Sequence, residues 1–271
     1  MSQPFNQDVK HAPLQALIFD VDGTLADTER DLHRVAFNCA FRQAGLDWEW
    51  DERTYGRLLK VAGGKERIAH YLRHDVPDTA PEAEREHMAR ELHALKTEFH
   101  LGLLGGRAIP LRPGVERLLL DARRRGLRLA IATTTTAANV IAMLESALGD
   151  GAFRWFEVIA AGDVVPHKKP APDIYRYVLD ALQLRASACF AFEDSANGLR
   201  SSTGAGIRTI VTPNAYTADE DFGGAFSIVR DLGEPNATGR HLGGYAPVRG
   251  FIDTAQLAAW QATLFEQHAF S

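Results

Sequence analysis

The chain has 271 residues, of which 45% are hydrophobic, 24% charged and 9% aromatic, a balance that excludes a disordered or fibrous protein and supplies one large or two small cores. Thirty Lys and Arg stand against thirty-five Asp and Glu, a net charge of −5, so there is no broad attraction for nucleic acid or an anionic membrane and any anion site must be local. The apolar runs, such as 14–19 and 127–132, are far shorter than the ~20 residues a membrane helix needs.

The opening residues MSQPFNQDVKHAP lack both a hydrophobic signal core and a transit-peptide pattern, so a soluble cytoplasmic protein is expected, and a monomer is the expected state. Residues 14–20 (LQALIFD) form a short apolar run ending in an acid, the mark of a buried parallel strand. Residues 28–104 differ in texture: charged helical segments without a convincing strand. Thr28 followed by Asp31 reads as an acidic variant of a capping box, with Leu32, Ala36, Cys39 and Ala40 continuing one face. Over 82–103, Met88, Leu92, Leu95, Phe99 and Leu103 make an apolar stripe on a long helix. From residue 112 onward strands at 127–132, 158–161, 188–192 and 207–211 alternate with helices near 114–125, 137–147, 172–183 and 196–204, which predicts an α/β fold with a mostly parallel sheet and a helical module inserted after the first strand. The Gly- and Pro-containing tail from about 233 reads as a loop and a terminal amphipathic helix through Leu257, Trp260 and Leu264. Cys39 and Cys189 read as small buried hydrophobes rather than a disulfide or metal pair.

In open parallel sheets ligands bind beyond the carboxyl ends of the strands. There the chain places Asp20-Val21-Asp22-Gly23-Thr24, then Thr133 and Thr134, then His167-Lys168-Lys169-Pro170, and finally Glu193-Asp194-Ser195. An isolated Asp-Gly is more often a turn, but here carboxylates from two strand exits would repel unless a cation joined them. Mg²⁺, a hard ion that takes oxygen ligands, answers that need, and such a cluster suits phosphoryl transfer, in which a carboxylate can be the nucleophile.

These residues resemble the haloacid dehalogenase superfamily, whose DxDGT signature stands at Asp20 to Thr24, with the Thr133 site, Lys169 in KPAPD and Glu193-Asp194 matching its other loops. DVDGTLADTE, GGKERI, ATTT, KKPAPDIY and EDSANGL are similar to the β-phosphoglucomutase-like subgroup, and within it to the CbbY-type sugar-bisphosphate phosphatases. The resemblance implies a Rossmann-like core over 1–26 and 106–271, with 233–271 as an extension, and a helical cap over 27–105. It makes Asp20 the nucleophile and Asp22 the general acid and base. Thr133 and Lys169 would hold the phosphoryl group, while Asp20, Asp22 (through its backbone carbonyl), Glu193 and Asp194 would hold Mg²⁺. In the cap, Gly63, Gly64, Lys65 and Arg67 form an expected grip for a second phosphate. His93, Lys96, Asp27, Thr134 and Asn139 are expected around the sugar, although Asp27 replaces a glutamate. His33 could contact substrate or simply pack. The implied activity is Mg²⁺-dependent hydrolysis of a small sugar bisphosphate, foremost xylulose 1,5-bisphosphate. The alternatives are a sugar phosphomutase, a phosphoglycolate-type phosphatase and, last, a non-catalytic metabolite-binding module.

Overall fold

A computed structural model describes residues 13–104, 109–246 and 250–268. Seven strands form one sheet: β1 (Ala16–Phe19), β2 (Arg128–Thr133), β3 (Phe156–Ala161), β4 (Cys189–Glu193), β5 (Arg208–Val211), β6 (Ser227–Val229) and β7 (His241–Gly243). Their order is β3-β2-β1-β4-β5-β6-β7, and only the β6–β7 pair is antiparallel. β1 is central: Phe19 lies opposite Ile131 on one side and Phe192 on the other.

Alternation along these strands divides the core in two. Leu17, Phe19, Leu129, Ile131, Phe190 and Phe192 face one layer, where the Phe19 and Phe192 rings stack at 4.6 Å. That layer is closed by α5 (Val115–Arg124), α6 (Ala137–Leu148) and α9 (Thr254–His268). The small residues Ala16, Ala130, Ala132 and Ala191 face the other side, beneath α7 (Asp173–Leu182). α8 (Ala196–Gly204) follows β4. Helices on both faces explain why these strands read as continuous apolar runs.

Between β1 and α5 stand α1 (Arg34–Gln43), α2 (Glu52–Leu58), α3 (Gly64–His74) and α4 (Glu82–Leu104), a helical layer with its own aromatic core of Phe37, Phe41, Trp50 and Tyr55. α1 is entered through a π-helical turn, Glu29–His33. Three expectations need correction. Thr28 makes no side-chain cap, because its backbone is already helical and its hydroxyl donates to Asp22 instead. The fully buried line of α4 runs through Ala89, Leu92, Lys96, His100 and Leu104, so that of the apolar stripe only Leu92 is on it while Met88 and Leu103 pack half-buried beside it, because this helix packs on both α1 and α3 while turning polar groups inward. The tail contributes an edge strand, β7, as well as α9, and β6 was not foreseen; three-residue strands are too short to display alternation. Leu257 and Trp260 do join the main core, while Leu264 and the expected domain boundary at 105/106 lie outside the described residues and side chains. Both Cys39 and Cys189 are free. Among the described residues no helix is long and apolar enough to cross a membrane.

Candidate active site

The strand order reverses at β1, and the exits of β1, β2, β4 and β5 converge beside it. Asp20 leaves β1 with its N–H bonded to the Phe192 carbonyl at 3.0 Å. The chain then turns at Gly23, whose φ of 86° and close neighbours exclude a side chain: a Cβ would lie 2.3 Å from Asp194 Oδ2 and 2.5 Å from Asn214 Nδ2.

Lys169 Nζ donates to Asp20 Oδ1 at 2.7 Å and to Glu193 Oε1 at 2.6 Å, and the buried Tyr175 hydroxyl also donates to Glu193 Oε1. Burial alone would lower the Lys169 pKa, but the carboxylates of Asp20 and Glu193 overcome it and hold the ammonium above its ordinary range. Burial pushes Asp20 up to about 8 against the attraction of Lys169. Asp194, which accepts from Asn214 Nδ2 at 2.6 Å, is pushed well above the carboxylate range by burial and then by the charges of Asp20 and Glu193. One ammonium therefore does not balance three converging carboxylates.

Asp20, Glu193 and Asp194 each offer an oxygen within 4.8 Å of the others. Glu193 Oε2 is buried without a hydrogen-bond partner, packed so closely on Gly198 that a Cβ there would lie 1.9 Å away. A hard divalent cation fits both observations: it would neutralise the excess charge and accept the orphaned oxygen.

Asp22 is held differently. Its Oδ1 accepts from the Thr28 hydroxyl at 2.5 Å and lies 2.8 Å from His33 Nε2. On the other edge of that ring, Lys96 Nζ lies 2.6 Å from Nδ1. Burial, then Lys96, keeps His33 neutral, so the ammonium donates to Nδ1 and the Nε2–H donates to Asp22. Burial lowers Lys96 itself to about 8. Thr28 precedes the π-helical turn and His33 is its last residue, an irregularity that often marks a functional site.

A cavity of about 80 Å³ opens onto Asp20, Asp22, Thr133, Thr134, Lys169, Glu193 and Asp194. Its far wall carries Glu29 and Arg67 from the helical layer, where Tyr55 donates to Glu29 and Arg67 donates to the Tyr55 hydroxyl at 3.0 Å. Other expected residues lie apart from this cavity. Lys65 faces Asp163 at 3.3 Å and Glu66 at 3.6 Å, part of a charge cluster completed by Lys168, which reaches Asp163 at 2.9 Å and Glu66 at 3.0 Å. Gly63 begins α3 at a φ of 90°, and Gly64 packs against His93. Asp27 is exposed, 3.4 Å from Arg112, and Asn139 bonds Thr135 at 3.2 Å at the start of α6. Sequence reasoning missed Thr28, Glu29, Tyr55, Tyr175 and Asn214. Asn214 follows β5 and was open to the same strand-exit rule that found the others, whereas Tyr175 stood unremarked in KPAPDIY.

Residues 14–206 match the family model for haloacid dehalogenase-like hydrolases. The chain belongs to the haloacid dehalogenase-like hydrolases. It is 48% identical over 255 residues to the plasmid-encoded CbbY protein of Cupriavidus necator, covering 93% of this chain and 99% of that one. Its fold is similar to the crystal structure of CbbY from Rhodobacter sphaeroides in complex with phosphate, and to a variant of that protein in complex with xylulose 1,5-bisphosphate; for each the TM-score is 0.74 and the identity 47%, over 80% of this chain and 94% of that one. A β-phosphoglucomutase from Clostridium difficile shares the fold at a TM-score of 0.62 and 22% identity, over 80% of this chain and 90% of that one. The expected fold, a parallel-sheet core with a helical cap, therefore holds, as does the enzyme class, a phosphoric monoester hydrolase of this family.

Proposed function

We propose that the protein is a Mg²⁺-dependent phosphatase of a small sugar bisphosphate, foremost xylulose 1,5-bisphosphate, working through an aspartyl phosphate. In this reading residues 1–26 and 106–271 form the catalytic core and residues 27–105 the cap. The observation that carries it is the unlike placement of two aspartates on one turn: Asp20 lies against an ammonium, Asp22 against a hydroxyl and a neutral imidazole.

Asp20 attacks the phosphorus through its free carboxylate oxygen while Lys169 and Thr133 hold the phosphoryl oxygens. Asp22 gives its proton to the departing sugar oxygen and then takes one from the water that hydrolyses the acyl phosphate. The bonds to Asp22 from Thr28 and His33 fix the carboxyl for both transfers. Asp20, Asp194 and the Asp22 carbonyl, with Glu193 directly or through water, would hold Mg²⁺, which when bound neutralises charge on the transferring group. Arg67 is the cap cation in the cavity and would take the distal phosphate; Lys65 would join it on release from Asp163. Thr134 faces the sugar. Lys96 acts through His33, and Asp27 would reach the sugar only by leaving Arg112; Gly63, Gly64, His93 and Asn139, expected around the substrate, do not line the cavity.

The identity to a protein crystallised with xylulose 1,5-bisphosphate supports this substrate. The test is phosphate release by the purified protein with Mg²⁺ from xylulose 1,5-bisphosphate, hexose monophosphates and phosphoglycolate. The bisphosphate should give the highest kcat/KM, and chelation should abolish release. Isomerisation of a hexose phosphate without phosphate release would establish a mutase instead, and preference for phosphoglycolate would replace the substrate.

A further inference from the structure

Arg112 belongs to neither wall of the catalytic cavity, yet it is 8% exposed and every part of its guanidinium is engaged. Nη1 donates to the Gly23 carbonyl and to the Thr212 carbonyl at 2.6 Å; Nη2 donates to the carbonyls of Pro213 at 2.8 Å and Arg230 at 3.2 Å. Nε faces the exposed Asp27 carboxylate at 3.4 Å, and the Arg112 backbone N–H donates to Leu25 at 2.8 Å. The acceptors belong to three segments: the turn between Asp22 and Thr24, the loop after β5, and the end of β6.

Burying a guanidinium among carbonyls is costly unless the charge-assisted bonds offset it. The position of those bonds says what they hold. Gly23 is the residue directly after Asp22, and its Cα abuts both Asp194 and Asn214. Thr212 and Pro213 lead straight into Asn214, whose amide donates to Asp194. We infer that Arg112 is a positioning residue for phosphoryl transfer: it clamps the catalytic turn to the Asn214 loop and so fixes Asp22 relative to Asp194. This rests on the proposed use of those carboxylates. The clamp needs a planar fork, since a guanidinium has five donors in fixed directions, whereas the compact lysine ammonium cannot span carbonyls of separate segments.

The site also gives a means of testing the clamp. Arg112 lines a cavity of about 140 Å³ with Gly23, Asp27 and Asn214, a path by which free guanidinium can enter when the side chain is removed. Arg112→Ala and Arg112→Lys are compared with the parent protein at saturating Mg²⁺, on an aryl phosphate and on xylulose 1,5-bisphosphate. In both variants kcat should fall roughly 10- to 100-fold, equally on both substrates, with KM moving less than about threefold. Calorimetry should show weaker Mg²⁺ binding, and guanidinium ion well below denaturing concentration should restore part of kcat in the alanine variant alone. A folded alanine variant with parental kcat and Mg²⁺ affinity would overturn the inference, as would a loss confined to melting temperature. Should the alanine variant not fold, the lysine variant decides by the same measurements. Should the parent hydrolyse neither substrate, the proposed function fails, and Mg²⁺ affinity alone then decides whether Arg112 positions Asp194.

Discussion

Asp20 and Asp22 leave the same strand two residues apart, and their different partners predict different failures. Asp20→Asn removes the nucleophile's charge, and turnover should fall by roughly three decades or more in a protein that still folds; a folded variant with near-normal phosphate release would exclude the aspartyl-phosphate route. Asp22→Asn keeps the Thr28 bond but cannot donate an acid proton. It should slow a sugar phosphate ~10²- to 10⁴-fold and an aryl phosphate, whose leaving group needs little protonation, much less in the first step. Burst kinetics would show phosphoenzyme accumulating from the aryl phosphate, and equal slowing of formation and hydrolysis on both substrates would remove Asp22 from its role. Both aspartates were legible because a polar pair directly after a buried apolar run is conspicuous. Thr28 and Lys96 bear on Asp22 only through a π-helical turn and a helix 63 residues beyond His33, and local pattern carries no trace of such contacts.

At the scale of elements, α4 shows how an inward-facing helix can carry chemistry on its buried side. Lys96 and His100 occupy core positions where the apolar stripe suggested leucine and phenylalanine, and the His100 ring lies 4.1 Å from that of His33. Burial, then His33 and Lys96, lowers His100 from 6.5 to about 2; burial, then Lys96 and Lys168, lowers His93 to about 4. With both folded-state pKa values below the unfolded one, the unfolded chain binds protons that the folded chain refuses. Their contribution therefore favours folding fully above pH ~6.5 and is lost as pH falls, toward 4 for His93 and on toward 2 for His100. His100→Gln should shrink the drop in melting temperature between pH 7 and pH 5, and an unchanged drop would mean that His100 titrates normally. On α3, Arg67→Ala should cost ~1.5–3 kcal/mol of transition-state binding for a bisphosphate, one to two decades in kcat/KM, and much less for a monophosphate. Lys65→Ala should lose less, because Lys65 already pairs with Asp163. Equal losses on both substrates would shift Arg67 to a structural role through Tyr55 and Leu58.

For the whole molecule, alternating strands and helices announced the parallel sheet, while the contribution of the tail was only half visible. Its helix was marked by Leu257 and Trp260, but its edge strand and its anchorage were not, since Arg117 holds the tail through carbonyls of Leu232, Gly233 and Ile252, which any sequence would provide. Thr254, at the start of α9, bonds Asp121 on α5 through both hydroxyl and N–H. Trp260 packs edge-on against Phe226 at 5.5 Å, and Phe226 in turn meets Phe190 of β4 at 5.3 Å. The tail thus closes the same apolar layer that backs the strands delivering Asp20 and Glu193. Trp260→Ala empties a position only 9% exposed and should destabilise by ~3 kcal/mol, the low end for a large aromatic. Because neither Trp260 nor Phe226, the ring it packs on, lines the catalytic cavity, kcat per folded molecule should stay within about twofold of the parent. Urea unfolding paired with kcat measured well below the transition checks both halves. A loss of kcat without a loss of stability would mean that the tail acts on the site directly, whereas unchanged stability would mean that the layer closes without it.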